Sequence, residues 1–280
     1  MNRPIFRHEA MATFFELAIA GHDEIYACQA AAAAWRELDR LEGELSRYVE
    51  SSDIARANQL ARGGTIVIGD DALACLLLAA EVSLATGRAF DAAYASRRAP
   101  GQPAEAPPFT LDPDAHTLTS HAAQLHLDLG AIGKGYALDR LAEALREWGV
   151  HAALLNSGGS TALALDPPDR ERGWRVGLGD GAAHRTRPLV HAALSGSGTA
   201  VKGLHLADPR TGAPAARTTR AWALAPTAAL ADALSTAFFV FDDDEVAAFC
   251  AAHPEIGAAL TGARGQLVLH GALRPAGAGD

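Results

Sequence analysis

At 280 residues, 49% hydrophobic and 20% charged, with a mean hydropathy of +0.04, the chain has enough apolar side chain for a large buried core, which excludes general disorder. Its 24 Lys and Arg against 33 Asp and Glu leave a net charge of −9, so a general nucleic-acid binder working by phosphate neutralisation is disfavoured. A phosphate-bearing ligand would need a local device such as a metal. No apolar run approaches the roughly 20 residues that span a bilayer; residues 76–80 and 229–241 come nearest and both are interrupted.

In chain order, Thr13–Ala20 carries the bulk of a first strand and Gly21–Asp23 a turn. Trp35, Leu38, Leu41 and Leu45 recur at helical spacing within a helix expected from Glu24 to Tyr48. A second helix is expected from Asp70 to Ala85, stopped by Gly87. Between Arg97 and Pro113 the proline density removes backbone donors and predicts an exposed loop. A strand at Gln124–Leu129, a glycine-rich turn and a helix at Gly135–Trp148 follow. Strands are expected at Ala152–Leu155, Thr161–Leu165, Trp174–Leu178 and Pro188–Ala193, then helices at Ala228–Val240 and Asp243–Ala252 and a closing hairpin within Ile256–Leu269. Strand runs with interspersed helices predict an α+β fold with mixed or antiparallel sheets and packed helices, one domain over residues 1–280. Cys28, Cys75 and Cys250 are far apart in apolar helical contexts, which predicts packing roles for all three. The opening segment has no apolar signal core and no cysteine follows to take a lipid, so a cytoplasmic location is expected.

Four tracts could carry chemistry. Asp128–Tyr136 contains Gly130, Gly133, Lys134 and Gly135 between a strand end and a helix start, where backbone amides can face an anion. It fits neither a P-loop nor GxGxxG, and a plain glycine-rich connector is the alternative. Asp232 and Thr236 lie four apart on one face of an apolar helix; a carboxylate there is costly unless paired or bound to a cation, and carboxylate with hydroxyl suits Mg²⁺. Capping or hydrogen bonding is the competing role. His205 precedes the turn-forming Asp208–Gly212, and either general-base or structural work fits a lone histidine. Asn156-Ser-Gly-Gly159 places small residues at a strand end. No GxSxG elbow or HExxH pair occurs, which removes serine hydrolase and zincin readings.

Taken in order, Met11-Ala-Thr13, Leu45-Ser-Arg-Tyr48, Phe90-Asp91, Asp128–Tyr136, Asn156–Gly159, His205–Gly212 and Ala231–Thr236 resemble the motifs of the FAD:protein FMN transferase (ApbE) family, over about Met11 to Leu269. The resemblance implies an enzyme that binds FAD and Mg²⁺ and transfers FMN to a Thr or Ser hydroxyl of a partner flavoprotein, releasing AMP. FAD hydrolysis to FMN and AMP, or FAD binding without turnover, are its alternatives. It also implies roles: Asp232, Thr236 and the Ala131 carbonyl as metal ligands, Asp232 thereby belonging to the catalytic centre with His205 as proton acceptor, and Met11, Tyr48, Ala89, Phe90, Asp91, Asp128 and Lys134 around FAD. The chain departs from the family where Ala12 replaces a glycine, where Ala92-Ala-Tyr94 replaces Pro-Thr after Phe90-Asp91, and where only Ser195-Gly-Ser-Gly-Thr-Ala-Val-Lys-Gly203 precedes His205 in place of a Ser-Gly-x-Tyr and a longer strand pair.

Overall fold

A computed structural model describes residues 3–98, 106–179, 184–198, 208–213, 215, 218–262 and 265–275. Period-two alternation of bulky and small residues builds its frame. Eight antiparallel strands form one sheet in the order β1 (Ile5–Ala10), β2 (Thr13–Ile19), β6 (Ala153–Ser157), β7 (Thr161–Ala164), β10 (Ala192–Gly198), β11 (Thr218–Ala225), β12 (Gly257–Gly262), β13 (Leu267–Gly271). Along β11, Ala221, Ala223 and Ala225 face one side, whereas Trp222 and Leu224 face the other. The alanine side admits close-packed helices, and α1 (Glu24–Leu45), α3 (Asp70–Ala85), α4 (Gly133–Glu147) and α5 (Ala228–Val240) share its core with Phe15, Leu17 and Ile19. The opposite side is covered by the hairpin β8 (Trp174–Leu178) and β9 (Arg185–Leu189), which brings Trp174, Leu178 and Leu189 against Leu194, Trp222 and Leu224. Nearly every residue of α5 is buried, as an all-round apolar helix must be.

The remaining elements are α2 (Asp53–Asn58), the small sheet β3 (Thr65–Val67), β5 (Thr117–Ser120), β4 (Phe109–Asp112), and α6 (Asp243–Ala252). The α+β expectation holds, and every strand pair is antiparallel. Helices α5 and α6 match their expected spans.

Several local expectations change. Gln124–Leu129 is extended but joins no sheet beyond one bridge from Gln124 to Arg97. Side chains replace the ladder there: Leu127 N donates to Asn58 Oδ1 at 2.6 Å, Asn58 Nδ2 returns a bond to Leu127 O, and His126 N donates to Ser96 Oγ. The strand expected at Pro188–Ala193 is two strands split by a turn at His191, whose φ is +47°. Part of the expected proline-rich loop, Phe109–Asp112, is strand β4, because Phe109 and Leu111 alternate inward; residues 99–105 lie outside the described residues. Helix α1 stops at Leu45, short of Tyr48, where Ser46 turns extended. Cys75 and Cys250 are buried as expected, but Cys28 sits on the exposed side of α1. Among the described residues no helix is long and apolar enough to cross a membrane.

Candidate active site

The first turn of α5 has free backbone N–H groups that need acceptors. Asp139 of α4 supplies two, its Oδ1 accepting from Ala228 N and its Oδ2 from Ala229 N, each at 2.8 Å. Burial pushes the Asp139 carboxyl up to about 6 against the pull of those two amides. One turn earlier, Gly135 lets the two helices touch, since a Cβ there would lie 2.8 Å from Ala229 Cα and nearer still to the Ala228 carbonyl. This crossing sets where Asp232, one turn along α5, meets α4.

Asp232 is 5% exposed. Its Oδ2 faces Lys134 Nζ at 3.3 Å and Gly135 N at 3.2 Å. The anion held by the glycine-rich tract is therefore the chain's own carboxylate, at the positive end of α4. Of the tract's other amides, Gly130 N donates to Asp128 Oδ1 and Gly133 N to Leu129 O. Lys134 Nζ also donates to the Gly130 carbonyl. On the other side of the carboxylate, Oδ1 accepts from Thr161 Oγ1 at 3.4 Å and Ser195 Oγ at 3.3 Å. Thr236, one turn further on α5, sits with its Oγ1 3.5 Å from the Asp232 carbonyl and 3.3 Å from Ser197 Oγ.

Asp128 stands at the mouth of the same tract. Its Oδ2 pairs with Arg47 at 3.4 Å, and Arg47 lies over the Tyr48 ring, donates to the Tyr48 hydroxyl and reaches His126 Nε2 at 3.2 Å. Tyr48 itself is 76% exposed, an aromatic face open to a ligand. Asp128 N donates to Ala92 O at 2.9 Å, tying the tract to the segment that holds Ala89, Phe90 and Asp91. The side chains of Ala89 and Phe90 are buried in the helix-side core. Asp91 Oδ1 accepts from Ala93 N, and burial raises its carboxyl above the ordinary range.

Met11 and Ala12 form the two-residue turn between β1 and β2 with φ of +51° and +57°. Both are left-handed, the geometry that Asn-Gly usually fills, and each side chain there costs on the order of 1 kcal/mol. Glu42 of α1 holds the turn by accepting from Met11 N at 2.8 Å. Strain maintained this way is a feature of ligand sites.

Asp232, Thr236, Lys134, Ala131 and Asp128 thus gather around the α4 start, while Met11 sits on its own turn, held by α1. His205 and Lys202 lie outside the described residues. Sequence reading missed Asp139, Arg47, Thr161, Ser195 and Ser197. Asp139 serves amides 89 and 90 residues away, so no local pattern shows it. Ser195 and Ser197 had a readable signal, the period-two Ser-Gly-Ser-Gly run of a strand.

Among the described residues no three His, Cys, Asp or Glu side chains gather as a metal cluster. A cation here would rely on one carboxylate, hydroxyls and a carbonyl. That all-oxygen set fits Mg²⁺, which keeps waters and takes one or two carboxylates alongside substrate phosphates.

A profile of the ApbE family matches residues 11–260. The chain belongs to the ApbE family. Among curated relatives, the FAD:protein FMN transferase of Treponema pallidum is 29% identical over 164 residues, 51% of this chain and 45% of that protein. The FAD:protein FMN transferase of Rhodobacter capsulatus is 34% identical over 142 residues, 46% of this chain and 27% of that protein. The matched stretch spans less than half of either relative. Among solved structures, the flavinyl transferase ApbE of Pseudomonas stutzeri superposes with a TM-score of 0.78 at 22% identity, covering 96% of this chain and 94% of that one. The flavin transferase ApbE of Vibrio cholerae gives 0.80 at 17% identity over 96% and 97%. At these identities the ApbE structures establish the fold.

Proposed function

We propose that this ApbE family member is a Mg²⁺-dependent FAD:protein FMN transferase that moves FMN from FAD to a Thr or Ser hydroxyl of a partner flavoprotein and releases AMP. The family match over residues 11–260 supports the reaction, and the observation that carries it into this site is the buried Asp232 set against Lys134 at the start of α4. Asp232, Thr236 and the Ala131 carbonyl would hold Mg²⁺, which when bound neutralises charge on the pyrophosphate. Lys134 is the protein's own cation beside that position and can move between Asp232 and a phosphate oxygen on its flexible stem. Tyr48 offers an open ring for stacking, and Met11, Ala89, Phe90, Asp91 and Asp128 complete the FAD wall.

In the transfer step the acceptor oxygen bonds the flavin-side phosphorus, the anhydride bond to the AMP phosphate breaks, and the hydroxyl proton passes to His205. That last role needs a neutral imidazole. Incubation with FAD, Mg²⁺ and a Thr-bearing acceptor is expected to give AMP together with covalent, fluorescent flavin on the acceptor. AMP with free FMN alone would establish a pyrophosphatase instead. Tight FAD binding with no AMP over long incubation would overturn the enzymatic reading altogether.

A further inference from the structure

The strand register places one transverse row of residues on the helix-facing side of the large sheet. Reading across β2, β6, β7, β10, β11, β12 and β13, the row is Phe15, Ser157, Thr161, Ser195, Ala223, Ala258 and His270. Three consecutive hydroxyls occupy its middle. Ser157 and Ser195 are 0% exposed and Thr161 is 1% exposed, beneath a helix-side core rich in alanine, leucine and phenylalanine. Buried hydroxyls of this kind are costly unless they are used, since each loses its water partners.

Two of the three, Thr161 and Ser195, are used on Asp232, whereas Ser157 Oγ has no hydrogen-bond partner among the described residues. Thr161 Oγ1 and Ser195 Oγ lie 2.8 Å from each other and 3.4 and 3.3 Å from Asp232 Oδ1. A second set runs from there to the other expected ligand: Ser195 Oγ to Ser235 Oγ at 3.4 Å, Ser235 Oγ to Ser197 Oγ at 2.8 Å, and Ser197 Oγ to Thr236 Oγ1 at 3.3 Å. Lys134 and Gly135 grip Oδ2 from α4, so the sheet and the helix hold opposite oxygens of one carboxylate. A carboxylate gripped from a single side would rotate about its Cβ–Cγ bond, because that terminal torsion is broad.

We propose that Thr161 and Ser195 are positioning residues: their hydroxyls fix the rotation of the Asp232 carboxylate and thereby tune the affinity of the site for a divalent cation. The inference rests on the proposed function, in which Asp232 is a metal ligand. Outer hydrogen-bond partners of metal ligands typically account for 10- to 100-fold in metal affinity. Neither residue touches the cation in this scheme.

The test uses the full chain and Mn²⁺ alone as the probe, read by the loss of the free-ion EPR signal, with thermal unfolding in parallel. Thr161→Val and Ser195→Ala are each expected to weaken Mn²⁺ binding about 10-fold and, by taking a donor from the buried Asp232, to lower the melting temperature modestly. Thr161→Ser, which keeps the hydroxyl, is expected to restore parental affinity. Parental Mn²⁺ affinity in both hydroxyl-free variants, with or without a fall in melting temperature, would overturn the positioning role. Should one variant fail to fold, the other decides alone. In a parent that binds Mn²⁺ and releases AMP, that result removes only this inference. A parent that binds no Mn²⁺ removes both it and the metal-dependent reading.

Discussion

Strand β10 shows the two faces of the large sheet at their most different. Its residues Ser195-Gly196-Ser197-Gly198 alternate, sending two hydroxyls toward α5 and two glycines toward the β8–β9 hairpin. On the helix side the hydroxyls meet Asp232, Ser235 and Thr236. On the hairpin side the glycines leave room for large side chains: a Cβ at Gly196 would lie 2.8 Å from the Trp222 ring, and one at Gly198 2.7 Å from Arg220 Cγ. One face is polar and built around a carboxylate, the other is apolar and filled by tryptophan. Glycine here serves packing, and the polar contacts to α5 come from the residues between.

The same distinction within α4 gives the largest expected effect. Lys134 faces Asp232, whereas its neighbour Gly135 carries the helix crossing. In a free helix Gly→Ala gains about 1 kcal/mol. At Gly135 the new methyl would meet the backbone of Ala228 and Ala229, which cannot rotate aside. The helices must separate, at a net cost on the order of 3 kcal/mol. Separation also breaks the Gly135 N to Asp232 bond. Gly135→Ala is expected to lower the urea midpoint strongly and to weaken Mn²⁺ binding together with it. A stable variant would show that the crossing is looser than its geometry.

How far the sequence foretold all this follows from the same residues. Helices α5 and α6 were legible because their signals are local, and the structure shows the caps that start them, Thr227 before α5 and Asp242 with Glu245 as a reciprocal cap at α6. The α+β class and the Asp232–Thr236 pair were legible for the same reason. Gln124–Leu129 looked like a strand because Leu125, Leu127 and Leu129 alternate, but alternation reports a buried face and not a partner strand. Asn58 supplies that partner from 69 residues away. Strand β11 went unnoticed because its inward residues are alanines, which carry little strand signal. The glycine tract was legible as an anion cradle, yet the identity of the anion is a tertiary fact.

Asp139 sharpens the comparison on the helix side, because it is a partly buried carboxylate held by amides where the buried Asp232 also has a lysine. Its carboxyl stands raised to about 6, burial being the main cause. A group raised above its unfolded value near 3.8 favours the protonated acid in the folded state. Its contribution to stability is complete below pH 3.8 and is lost as pH rises through about 6. Asp139→Asn has no such titration. The stability of the parent relative to this variant is therefore expected to fall by about 2–3 kcal/mol between pH 4 and pH 7, as read from urea midpoints at each pH. A difference independent of pH would show that the carboxyl titrates normally and that the two amide bonds dominate its energetics.

The smallest effect belongs to the opposite face, and it is the one that isolates the comparison. Gly196→Ala adds a methyl on the hairpin side, against the Cδ1 and Nε1 atoms of Trp222. Trp222 is 7% exposed and packs with Leu194, Leu224 and Trp174, so it must shift within a filled core. Unlike the Gly135 clash, the obstacle is a side chain that can turn, and the cost is expected at about 1–2 kcal/mol. Asp232 lies across the sheet, and its bonds to Thr161 and Ser195 come from residues whose side chains point away from the new methyl. Mn²⁺ affinity and AMP release per folded molecule should therefore stay at parental values while the melting temperature drops by several degrees. Loss of metal affinity in this variant would mean that the two faces of β10 are coupled through the strand itself, and the separation of packing from function along this strand would be wrong.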